Sequence, residues 1–238
     1  MRKKESPGRA DARPSGAMKA NRRATAMAGV LVIVGMLAGL LSVVPVLEDP
    51  HYLDLLPAHE GQIILGAASQ FIMIPACVGF ALCLHPTLRR ESEALSLGFL
   101  GFRFVAAAFH FVGVISLPLL LVLGEEFARA GAAGAPHLEA MGELLRTARD
   151  LVNHVALILA LGLGDLLFFG ILHRSRLVPR LLSCWGLAGV VSAMSASFLV
   201  LFGLAEVVAP LYLTMNAPLA LQSLVLAVWL ITRGFATR

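Results

Sequence analysis

The chain has 238 residues, of which 58% are hydrophobic and 14% charged, with a mean hydropathy of +0.82 and a formal net charge of +4. Such a balance excludes an ordinary water-soluble domain and makes the bilayer the solvent. The length suffices for several spans of about 20 residues each and leaves little for a separate soluble domain.

Residues 1–23, MRKKESPGRADARPSGAMKANRR, carry eight Lys or Arg among Pro, Gly and Ser. They are too polar to bury a core and read as a disordered basic tail, leaving residues 24–238 as one six-helix transmembrane domain. No aromatic interleaving or folded module accompanies the basic residues, so no nucleic-acid partner is expected. Attraction to anionic lipid headgroups and orientation of the first helix account for them. The apolar run that follows lacks a small-x-small cleavage site and reads as a retained span.

Six segments are long and apolar enough to cross a membrane: Thr25 to Val46, Gly61 to Leu84, Ala94 to Leu123, Leu151 to His173, Leu181 to Ala205, and Leu211 to Thr232. Every backbone amide in hydrocarbon needs an internal partner, so these are helices and the fold is an all-α polytopic membrane bundle. Lys and Arg number eight in the tail, two at Arg89 and Arg90, three at Arg174, Arg176 and Arg180, and two at Arg233 and Arg238. The alternate side holds Arg129, Arg146 and Arg149 alone. The positive-inside rule therefore puts both termini in the cytoplasm and the protein in the cell (inner) membrane. No internal repeat of hydropathy argues for inverted halves.

On the outer side, EDPHYLDLLPAHE (Glu48 to Glu60) gathers four carboxylates and two histidines without a spacing that aligns ligands on one helix face, so no metal site is expected. The second outer segment ends in PHLEAMGELLRTARD, where Leu138, Met141, Leu145 and Ala148 recur at helical spacing. This predicts an interfacial helix running into the fourth span. Cys77, Cys83 and Cys184 lie in apolar segments without CxxC spacing and are expected as small buried hydrophobes.

Polar residues inside the spans carry the remaining information, since an ionised group at a helix centre costs roughly 2.5 to 3.5 kcal/mol on insertion scales. Arg103 on the third span and Asp165 on the fourth lie at matching depth, which predicts an ion pair between them; the competing arrangement is an Arg103 that snorkels to the headgroups. His110 shares a helix face with Arg103, and His154, eleven residues before Asp165, shares one with it. Arg103, His110, His154 and Asp165 thus form the candidate binding set. Gln70, Glu206, Asn216 and Gln222 are further candidates for a polar centre.

Catalytic signatures are missing: there is no GxSxG, HExxH, Walker loop or paired intramembrane aspartate. His110 and His154 lie at different depths, so a bis-histidine haem is not expected either. No cofactor and no catalytic residue is assigned.

LHPTLRR followed by GFRFVAAA, then LVNHVALILALGLGDLLFFGILHRSRLVPRLL and NAPLALQSLVLAVWLITRG, together resemble a bacterial family of six-span integral membrane proteins catalogued as a domain of unknown function. The likeness runs from about Thr25 to Gly234. It rests on Arg103, on His154 leading into Phe168, Phe169 and Gly170, on the turn with Ser175, Pro179 and Arg180, and on Pro218 and Trp229. It implies the six-span topology and no reaction. Two positions depart from the family pattern. Arg176 stands where glycine is usual, and Ser223 beside Gln222 stands where a carboxylate is frequent, the latter weakening proton-coupled transport.

Two expectations for function follow. In one, the bundle binds or moves a small polar or amphipathic molecule in a cavity lined by the four candidate residues. In the other, it is a non-catalytic scaffold or regulatory protein whose buried polar groups only specify packing in a dry, closed bundle. A lipid enzyme using His154 and the outer carboxylates is a weaker third.

Overall fold

The computed structural model describes residues 12–207 and 209–236, with the side chains of all of these except residues 12–20 and 131–134. Six helices are long and apolar enough to span a membrane, and no strand occurs among the described residues. Helix α1 (Ala12–Leu41) is followed by a 3-10 turn, the short α2 (Tyr52–Leu55) and a second 3-10 turn. Then come α3 (Glu60–Glu91), α4 (Glu93–Leu151), a π-turn (Val152–Ala156), α5 (Leu157–Ser175), α6 (Arg180–Leu201) and α7 (Pro210–Thr232). Residues 12–23, expected within a disordered tail, are instead the first turns of α1; residues 1–11 lie outside the described residues.

Local chemistry sets the ends. A single residue, Ser92, separates α3 from α4 in an extended conformation, its hydroxyl accepting from the Leu95 amide at 3.5 Å. Helix α5 closes on Arg176 in the left-handed region (φ 56°), and Pro179 then starts α6. Glycine would suit this position, and the arginine there carries the strain that glycine avoids. Helix α6 stops at Leu201, short of the expected Ala205, ahead of Gly203 at φ +67°.

Helical hydrogen bonding continues from Glu93 to Leu151, yet α4 cannot be straight. A Cβ placed on Gly113 would lie 2.6 Å from Asn153 Oδ1, whereas forty residues of straight helix span about 60 Å. Gly124 and Gly142 both face Leu53, so the chain reverses between them. The first arm, Glu93–Ala130, crosses one way, and the second, Ala135–Ser175, returns through the π-turn and α5. The segment expected as an interfacial helix is the start of this second arm. Leu138 and Leu145 pack inward, while Met141 is exposed.

The spans form a closed ring in which each packs on its sequence neighbours, and α7 returns to α1. Closure depends on Gly29, where a Cβ would come within 2.6 Å of the Ala227 carbonyl oxygen. Arg22 also donates to the Thr232 carbonyl at 2.6 Å, which holds the two chain ends on one face. At that end the ring is plugged by an apolar cluster containing Phe80, Leu84, Leu88, Phe99, Phe168, Phe169 and Leu230. The opposite end is capped by Val44 to Leu47, α2, Ile63 and Leu117 to Leu123.

Candidate functional site

Between plug and cap lies a cavity of about 390 Å³, lined by all six spans and apolar over most of its wall. Arg103 and Asp165 meet there. Small residues let α4 and α5 approach: a Cβ on Gly164 would sit 3.1 Å from that of Phe102, and the fully buried Ala106 packs with Leu157 and Ala160. At this separation the Arg103 guanidinium donates through Nη2 to Asp165 Oδ1, and the two side chains are only 12% and 15% exposed.

Snorkelling is thereby excluded. The guanidinium carbon stands 5.1 Å from the ring centroids of both Phe80 and Phe99, which are themselves 5.9 Å apart, so the cation lies against two adjoining aromatic rings. Nη1 also reaches Cys77 Sγ at 3.8 Å, and Nε has no partner. The rings continue as a pile, with Phe99 stacked on Phe168 at 4.9 Å and Phe80 edge-on to both. A buried charge that cannot reach water requires such neutralisation, because removal of either partner strands the other in low dielectric.

Three of the four candidate residues, Arg103, His110 and Asp165, line the cavity; His154 does not. Its Nδ1 lies 3.0 Å from the Tyr212 hydroxyl, and its carbonyl accepts from Ser197 Oγ at 2.7 Å. The eleven-residue spacing from His154 to Asp165 presumed an uninterrupted α-helix. His154 sits instead inside the π-turn, where one additional residue rotates the face by about 100°. That turn also loosens the helical bonding, and Ser197 satisfies the carbonyl.

Other polar candidates divide similarly. Asn216 faces the cavity, but Gln222 is fully buried and donates to the Leu182 carbonyl at 3.2 Å. Gln70 is buried against Gly113 and Asn153, and Glu206 is exposed beyond α6. The cysteines are not uniformly buried. Cys77 lines the cavity half-buried, Cys83 is half-buried and Cys184 is exposed.

The contacts of Arg103 with the two phenylalanine rings and with Cys77 were not anticipated from sequence. Phe99 stands one turn before Arg103 and therefore on its face, a legible signal. Cys77 and Phe80 on α3 had none, since only the packing of α3 against α4 brings them there. On the capped side, Arg146 donates to the Leu47 carbonyl at 3.3 Å and lies over Tyr52, while Arg149 pairs with Asp150 at 3.2 Å. The Arg146 contacts tie the return arm of α4 to the cap, and neither set touches the cavity.

A family model described as a domain of unknown function, DUF4386, matches residues 27–234, and the chain belongs to that family. Neither a curated protein nor a solved structure matches it.

Proposed function

We propose that this DUF4386 member binds a small amphipathic molecule inside its ring of helices. The supporting observation is the cavity itself, about 390 Å³ with a polar spot at Arg103, Asp165 and His110 in an otherwise apolar wall. Ligand pockets are typically about 300 to 1,000 Å³, mostly apolar with a few placed polar groups. A scaffold whose buried polar groups served packing alone would have closed this space, because an unfilled void forfeits contacts on every lining side chain. The packing reading does account for His154 with Tyr212 and for Gln222 with Leu182, which are satisfied outside the cavity.

The surplus of Arg and Lys at the end carrying the termini supports a cytoplasmic location for that end, in a bacterial inner membrane, with the basic tail lying on anionic headgroups. Cys184, near that end on α6, reports the orientation: an impermeant maleimide should label it in inverted vesicles and spare it in intact cells. Labelling in intact cells would reverse the assignment.

Binding is tested by native mass spectrometry of the full chain released from nanodiscs. A small molecule should accompany the wild type and be lost from Ser223→Phe, which places a ring in the cavity from α7. Equal retention by the variant would place the molecule elsewhere, and no retained molecule in either would count against binding.

A further inference from the structure

The cavity has charges in its wall but no net charge to offer. Among the described residues its only guanidinium and its only carboxylate, Arg103 and Asp165, are bound to each other, and the guanidinium rests against two adjoining phenylalanine rings. An ionised guest would have to displace one partner or remain uncompensated in low dielectric, and either is costly. His110, Asn216 and Ser223 add hydrogen-bonding edges, suited to a hydroxyl or carbonyl.

The route to this space is lateral. Both water-facing ends are closed by apolar clusters. The seam between α1 and α7 is tight at the terminal end, where Gly29 meets Ala227 and Ile231. Further along, a Cβ placed on Gly35 or Gly39 would meet only Ala76 or Met73 of α3, each at 3.6 Å, and no atom of α7 lies within 4 Å of that position. Ala220 on the facing edge of α7 lines the cavity and is nevertheless exposed. Flanking side chains such as Leu37, Leu221 and Leu224 face outward and are apolar, so the opening meets acyl chains and not water.

Building on the binding reading above, we infer that the guest is an uncharged, lipid-dissolved amphiphile with a single hydroxyl or carbonyl head, admitted from the bilayer between α1 and α7. The size agrees: a cavity of about 150 Å³ admits benzene, so 390 Å³ takes a single medium-length chain and excludes a two-chain lipid.

Three photoreactive ten-carbon probes, an alcohol, a carboxylate and an amine, test this on the full chain in nanodiscs, with crosslinked residues mapped by mass spectrometry. The alcohol should label cavity residues such as Met73 and Met194 at least about tenfold more than either charged probe, which should label only the lipid-facing surface. Cavity labelling by a charged probe equal to or above that of the alcohol would overturn the assignment of an uncharged guest. Absence of cavity labelling by all three would overturn the binding reading itself. Ala220→Trp, which narrows the opening from an exposed position, should reduce cavity labelling by the alcohol severalfold, whereas Ala217→Trp on the same exposed helix should leave it unchanged. Undiminished labelling in Ala220→Trp would overturn the lateral route.

Discussion

Individual positions show how closely the ring is fitted. A Cβ on Gly29 would strike backbone, the Ala227 carbonyl oxygen at 2.6 Å, and backbone cannot give without moving α7. A Cβ on Gly162 would meet Met194 Cγ and Sδ at 2.6 and 2.7 Å, but that thioether borders the cavity and can swing aside. Gly29→Ala should therefore cost about 1 to 3 kcal/mol and Gly162→Ala under about 1 kcal/mol, read as thermal melts in nanodiscs. Similar losses for both would contradict the contrast. Arg103 and Asp165 were legible at this scale because an ionised residue inside a span demands a partner and depth selects it. Gly29 was not, since nothing in a lone glycine states what it faces.

Among elements, two hairpins repeat one device. His85 near the end of α3 reaches Ser96 near the start of α4 at 2.8 Å, and His173 near the end of α5 reaches Ser183 near the start of α6 at 3.3 Å. Both serines are fully buried. The sequence carries this as Leu-His followed ten or eleven residues later by Ser, a pattern too short to register as a hydropathy repeat. Ser96→Ala should cost about 1 kcal/mol, and Ser183→Ala less, because Cys184 Sγ stands 3.5 Å from the same His173 nitrogen and can substitute. The hairpins share no partner, so the double variant should show additive losses in melting experiments. A larger effect at Ser183 would contradict the substitution by Cys184. The starts of α3, α4, α6 and α7 were legible from hydropathy to within one residue, whereas α3 and the first arm of α4 run on to Glu91 and Ala130, past the expected Leu84 and Leu123, and α1 and α6 stop short at Leu41 and Leu201. The π-turn was not, because no local composition announces one, and it removed His154 from the predicted site.

For the whole molecule, hydropathy establishes six spans but not their order around an axis. Sequential neighbours follow from short connections, whereas closure of α7 on α1 and the fold-back of α4 are tertiary facts. The ring matters because it leaves a central space that sequential packing alone does not require. Within it stands the proposition on which the account depends, that Arg103 and Asp165 neutralise each other in the wall of the cavity. The most direct test is a double-mutant cycle on the unfolding of the protein in nanodiscs, using Arg103→Met, Asp165→Leu and the pair together. Each single variant should lose about 3 to 5 kcal/mol, since each strands a buried charge, and the double variant should recover most of that loss. A double variant as damaged as the two single losses combined would contradict it.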